Sequence, residues 1–177
     1  MHAGRTQDQA VFWTDLKGKL QQDAPEIAGY SHSFTGDQSR HIINHHGDTV
    51  AEAARRQIAV TAADVARIPE IVTQYDAISS NQTRDKYGNT MNNVVYAKAY
   101  PDATVVYVET IAKTRQNMRG VTMMKYPPMV DAATALQRAT TTFTSETVGG
   151  MSKIIADDSN ELNQSEQGES QGSNLRP

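Results

Sequence analysis

Cysteine is absent from all 177 residues, which excludes disulfide scaffolds, cysteine-containing zinc sites and thiol nucleophiles together. Aromatic residues make up only 6% and hydrophobic residues 38%, enough apolar material for one modest core and too little for two. No apolar run approaches the roughly 20 residues that a membrane-spanning helix requires. Met1 to Gln7 lacks the apolar stretch of a secretory signal. Gly-x-x-x-x-Gly-Lys is also missing, so there is no phosphate-cradling loop of the P-loop kind. Gly-x-Ser-x-Gly occurs once, at Gly168 to Gly172 in the polar tail, with no β-rich run before it, so it is not read as a serine nucleophile elbow. The expectation is a soluble, single-domain, cysteine-free protein with no membrane partner.

What charge there is lies unevenly. The formal net is −3, but residues 157–177 hold five acids against one base. The preceding body is therefore close to neutral. Within it, residues 84–126 carry seven bases against three acids, a local excess of +4. A basic segment of this kind permits a polyanion partner, and the overall pI of about 5.9 conceals it.

Hydrophobic periodicity divides the chain. Val11, Phe12, Leu16 and Leu20 make a helical stripe over residues 6–22, stopped before Pro25 because proline disfavours helix at the preceding residue. Residues 25–37 read as a loop. Residues 38–46 predict a short helix ended by Gly47 in a left-handed cap, and a second short polar helix follows over residues 48–57. Thr61 to Asp64 resembles a capping box opening a third, with Pro69 interrupting it or starting a further turn. The period then changes. Residues 79–92 are polar with a Gly88-Asn89 turn, after which three runs rich in β-formers, 94–100, 104–114 and 118–126, are separated by short turns. Neighbours so closely joined must be antiparallel. A helix over 129–140 follows, and the last 20 residues, rich in Ser, Gln, Glu, Asn and Gly, predict disorder. This order of helices and then an antiparallel meander is α+β.

Four of the five histidines, His32, His41, His45 and His46, fall within 15 positions. Imidazole exchanges a proton near neutral pH, and residues 41 and 45 share a helical face while residue 46 is rotated by about 100°. Three readings stand: a solvated helix face, a metal site, and acid–base catalysis. The metal reading lacks the Glu of His-Glu-x-x-His, since Ile42 stands there, and no third ligand follows. Downstream, Lys98, Glu109, Thr122 and Lys125 alternate with β-formers. They make either a solvated sheet face or a cationic, hydrogen-bonding surface that holds a phosphodiester and stabilises charge developing on it.

An ordered series of motifs carries a family resemblance. His41-Ile-Ile-Asn-His45-His46-Gly47-Asp48 is followed by Arg55-Arg56, by Ile58-Ala-Val-Thr61-Ala-Ala-Asp64, and by Ile68-Pro69-Glu70-Ile71. Val95-Tyr96-Ala97-Lys98, Val106-Tyr107-Val108-Glu109 and Gly120-Val121-Thr122-Met123-Met124-Lys125 come after it. Residues 32–126 so read resemble the phage-associated branch of the barnase, EndoU, colicin and RelE-like ribonucleases. These domains occur in phage head-morphogenesis proteins, polyvalent phage proteins and bacterial toxins. The resemblance implies N-terminal helices packed on a small antiparallel sheet, divided as a helical lead-in (1–30), a nuclease-like domain (31–143) and an acidic, polar tail (144–177).

It also implies an endoribonuclease that uses no metal and no cofactor. A general base removes the ribose 2′-OH proton, O2′ attacks the adjacent phosphate, and a general acid protonates the leaving 5′-oxygen, giving a 2′,3′-cyclic phosphate. His41 and His45, with His46 as the substitute, are the acid–base candidates. Lys98 and Thr122 complete the catalytic set by steadying the phosphate. Arg55, Arg56, Glu109 and Lys125 are assigned to substrate binding, with Glu109 able to orient a base. The doubled His45-His46 and Arg55-Arg56 leave open which member of each pair faces the sheet. The implied partners are RNA, with transfer RNA foremost, and, if the domain is a toxin, an acidic cognate immunity protein meeting the basic stretch. Action is expected in the cytoplasm of the producing or target bacterial cell, the chain being an excised part of a larger phage or toxin polypeptide. The competing function is a catalytically silent, virion-associated domain that binds a protein partner.

Overall fold

The computed structural model describes residues 9–14 and 17–141. It opens with a strand. β1 (Gln9–Trp13) is followed by α1 (Lys19–Asp23), β2 (Ser31–Thr35), α2 (Gly36–His46), α3 (Thr49–Ala54), α4 (Ala62–Ala66), α5 (Ile68–Gln74), β3 (Ala77–Arg84), β4 (Thr90–Ala99), β5 (Thr104–Ala112) and β6 (Asn117–Tyr126). A last helix, α6, occupies residues 132–141. The six strands form one sheet in the order β1-β2-β6-β5-β4-β3. The architecture is mixed α and β, as expected, but two expectations are corrected. Among the described residues a strand comes before any helix, and the sheet is not wholly antiparallel, because β2 runs parallel to β6.

Each correction has a physical cause. Val11 and Phe12 fit a helical stripe, yet residues 9–13 lie extended because β2 offers an unpaired edge, in register Phe12 to His32. Leu20 of the expected stripe lies in α1, where it is buried, and Leu16 lies outside the described residues. Residues 31–35, expected as loop, are captured between β1 and β6. The parallel pairing is permitted because the long run from α2 to α5 supplies the crossover such neighbours need. β3 was hidden by its polarity: Ala-Ile-Ser-Ser-Asn-Gln-Thr-Arg has no apolar alternation, and its hairpin with β4 places it at the sheet's edge, where polar side chains are tolerated. The three expected strands are all present as the antiparallel run β4-β5-β6. The tail expected beyond residue 144 lies outside the described residues.

The sheet has a core on each face. On one side Tyr96, Val105, Tyr107, Met118 and Met123 pack with Leu20, Ile27, Ile42, Ile68 and Ile71 from the helical segments. On the other, Val95, Val106, Val108 and Met124 pack with Ala132, Ala135 and Ala139 of α6. This is the alternation expected of β5, where successive side chains point to opposite faces. Between β5 and β6 the register shifts, with Val108 opposite Thr122 but Glu109 opposite Gly120. One extra residue, Val121, therefore bulges from β6 and redirects the strand beyond it. Gly120 is required at that point. A Cβ there would lie 2.5 Å from the Tyr107 hydroxyl and 2.7 Å from the Phe34 ring.

β2 pairs with β6 only from Asn117 to Arg119. The rest of that edge of β6 is met by α2 and the segment after α3. The Ile58 N–H donates to the Lys125 carbonyl at 2.7 Å, and the Val60 N–H to the carbonyl of His46 at 2.6 Å. These two bonds bring the end of the histidine helix beside the second half of β6.

Candidate active site

α2 is held at its start by a capping box between Thr35 and Gln38. It ends at Gly47, whose backbone is right-handed rather than in the expected left-handed cap. Glycine is needed there for space: a Cβ would sit 2.4 Å from the carbonyl oxygen of Ile43. The chain then turns at once into α3, whose first N–H groups are capped by Asp48, which accepts from the Ala51 N–H at 2.7 Å. This tight helix–helix turn places Glu52 beneath His46.

The resulting group is compact. Glu52 is fully buried, and its carboxylate lies 3.4 Å from His46 Nδ1 and accepts from Arg55 Nη1 at 2.7 Å. On the opposite side of the ring, His46 Nε2 is 3.2 Å from the Thr122 hydroxyl. Arg55 also donates to the carbonyl of His45 at 3.3 Å, fixing its guanidinium at the helix end. In the tautomer that directs Nδ1–H at the carboxylate, the Nε2 lone pair faces Thr122. A buried carboxylate, an imidazole and a guanidinium within hydrogen-bonding reach can orient a base, take up a proton and neutralise an anion.

His41 and His45 project from the same helix but stay exposed, their rings 4.3 Å apart. Partial burial, together with the neighbouring His45 and His46 imidazoles, pushes His41 below the ordinary histidine value. Among the described residues no three His, Asp or Glu side chains are arranged to hold a metal ion.

Of the residues singled out in the sequence, His46, Thr122 and Arg55 are thus brought together, with His41 and His45 adjoining. Arg56 lines a neighbouring cleft. Lys98, Glu109 and Lys125 are placed elsewhere, each already committed. Lys98 donates to the Gln74 carbonyl at 2.9 Å, lies 3.9 Å from Glu70 and sits over the Tyr100 ring, which ties β4 to α5. Lys125 is buried in an ion pair with Asp64 at 3.0 Å. Burial works against ionisation of Asp64, but hydrogen bonds from the Thr61 N–H and hydroxyl and from Lys125 outweigh it and hold the carboxyl below its usual range. Glu109 is buried on the helical face of the sheet, 2.8 Å from His32 Nδ1, and accepts from the Tyr96 hydroxyl at 3.2 Å. Phe12 stacks on the other face of His32 at 5.0 Å. That cluster joins β1, β2, β4 and β5 from within.

Beside Arg55 the surface opens into a cleft of about 460 Å³ lined by Arg55, Arg56, Gln57, Tyr126, Gln137, Arg138 and Thr141. Residues 52–57 build one wall with a Schellman turn: the Gln57 N–H returns to the Glu52 carbonyl at 2.9 Å and the Arg56 N–H to that of Ala53 at 3.0 Å. The position between them needs a left-handed backbone, and Arg56 adopts it with φ of 60°. Sequence reasoning passed over Glu52, Gln57, Tyr126 and Arg138. Glu52 carries a weak signal, one acid six residues after a histidine across a glycine turn. The others carry none: Gln57 and Tyr126 meet only where the segment after α3 runs beside β6, and Arg138 joins them from α6.

The chain belongs to the phage-Barnase-EndoU-ColicinE5/D-RelE like nuclease3 family, whose model matches residues 15–132. No curated protein and no solved structure matches it. Family membership supports nuclease activity in general terms, and no helix among the described residues is long and apolar enough to cross a membrane.

Proposed function

We propose that this domain is an endoribonuclease that cleaves without a metal ion, by attack of a ribose 2′-OH on its own 3′-phosphate. The observation that carries the reading is His46 held between the buried carboxylate of Glu52 and the Thr122 hydroxyl, with the Arg55 guanidinium beside it. His46 Nε2 takes the 2′-OH proton as O2′ bonds to phosphorus. Glu52 holds the ring's tautomer and offsets the charge the imidazole gains. Arg55 faces the phosphate oxygens as they gain charge. The bond from phosphorus to O5′ breaks, and O5′ takes a proton from the exposed His41–His45 pair. The products are a 2′,3′-cyclic phosphate and a 5′-OH. DNA lacks the attacking hydroxyl and is not a substrate.

Transfer RNA is the first substrate to try, on family resemblance. An acidic immunity protein is the partner to seek if expression proves toxic. The test is incubation of the purified protein with total RNA in excess EDTA beside a His46→Ala variant. Discrete cleavage with cyclic-phosphate ends, lost in the variant, supports the reading. Intact RNA with demonstrably folded protein sinks it, and favours a silent domain that binds a protein partner.

A further inference from the structure

We infer that the cleft beside Arg55 is a separate phosphate subsite, built to hold a single-stranded nucleic acid one nucleotide or more away from the bond at His46. The inference rests on the nuclease reading for its substrate class but not for its geometry. Arg55 already has a counter-charge in Glu52 at 2.7 Å. Arg56 and Arg138 have no ion pair among the described residues, so two uncompensated guanidinium groups converge on one concave space. Guanidinium groups are suited to phosphate because their N–H fork matches its oxygens.

The floor is polar in a way that suits the same ligand. Tyr126 is buried, and its hydroxyl receives a hydrogen bond from Gln57 Nε2 at 3.4 Å. The hydroxyl's own proton is directed only to the Met124 sulfur at 3.9 Å, a weak acceptor. Burial pushes the phenol up to about 12, against the pull of the Arg138 charge, so at neutral pH it stays a donor. Two cations and a hydroxyl donor thus face a space of about 460 Å³, large enough for a nucleotide.

An independent observation comes from the backbone. Position 56 is the point of a helix-ending turn where glycine is the favoured residue, yet an arginine stands there at φ of 60°. Local strain kept in this way is concentrated at functional positions. Held in that conformation, Arg56 lines the cleft.

The experiment uses the full chain and a fluorescein-labelled, 2′-O-methyl single-stranded oligonucleotide, which can bind but offers no attacking hydroxyl. Binding is followed by fluorescence anisotropy over a range of NaCl concentrations, for the wild type, Arg138→Gln and Arg56→Gly. Each variant should bind about 5-fold to 10-fold more weakly, and the slope of log affinity against log salt should fall by about 0.7 for each phosphate contact removed. Inorganic phosphate should compete with the oligonucleotide in the wild type and less well in the variants. Arg138 is exposed on α6, so its replacement leaves the core intact, and circular dichroism verifies that. Wild-type affinity and slope in both variants overturn the subsite. If those variants lose binding while the protein cuts no RNA, the subsite stands and the nuclease reading fails. If RNA is cut but binding ignores both arginines, the reverse holds.

Discussion

Replacing Arg56 by glycine should make this protein more stable and less able to hold its substrate. The residue closes the Schellman turn after α3 with φ of 60°, where a side chain's Cβ approaches the following carbonyl at a cost of about 1–2 kcal/mol. Glycine removes that cost. It also adds freedom to the unfolded chain, which takes back about 0.5–1 kcal/mol. The difference leaves a gain of about 0.5–1 kcal/mol. Arg56 makes no ion pair among the described residues that would offset it. For a chain of 177 residues that gain raises the thermal midpoint by about 1–4 °C. Urea unfolding is the cleaner assay, since the midpoint should rise at an unchanged m-value. Arg56→Ala serves as the control, because it removes the same charge but keeps a Cβ in the left-handed region, so its stability should not rise. The reasoning is refuted if the glycine variant unfolds no later than the alanine variant. A gain in stability with a loss of oligonucleotide affinity would show that the strain is retained for function.

Glu52→Gln keeps the shape of the buried side chain but removes the charge between His46 and Arg55. RNA cleavage should fall by about 10²–10⁴-fold in kcat, the range for losing an oriented general base, with a smaller change in KM, read from initial rates on one RNA substrate. Gly120→Ala puts a Cβ 2.5 Å from the Tyr107 hydroxyl and 2.7 Å from the Phe34 ring. It should destabilise the fold by about 1–3 kcal/mol, measured by urea unfolding. Asp64→Asn tests the buried ion pair with Lys125. The native carboxyl is held below its usual range, so its contribution is present above the unfolded value of about 3.9 and is lost as pH falls through the native value. The variant should be less stable at pH 7 by about 1.5–3 kcal/mol, and its stability should fall less steeply than the wild type's below about pH 4. His41 runs the same way in a different window. Its native value lies below the ordinary one, so the wild type loses stability as pH falls from about 6.5, and His41→Gln should flatten that slope in thermal melts.

The β-rich runs of β4, β5 and β6, the capping box at Thr61 and the histidine helix could all be read from the chain, because each is a local pattern of side chains repeating at the period of its own element. Of the candidate site, the histidines and the Arg55-Arg56 pair were visible as residue types in a row. Three strands were not legible. β1 reads as a helical stripe, β2 as loop and β3 as a polar segment, and each is extended because a neighbouring strand offers hydrogen bonds that no local pattern announces. The choice among the histidines was equally hidden. His41, His45 and His46 look alike in sequence, and only the turn at Gly47, which brings Glu52 under one ring, and the bulge at Val121, on the strand that carries Thr122, separate His46 from the other two. Lys98 and Lys125 have the charge a phosphate site would use, and Glu109 that of a group orienting a base, yet the fold commits each to a partner far along the chain. Composition and local pattern determined that this is a mixed α and β domain with a histidine helix and a β-rich stretch carrying more bases than acids. Which side chains meet was decided by the tertiary structure, since hydrogen bonds and ion pairs depend on distances of a few ångströms set by strand register and helix turns.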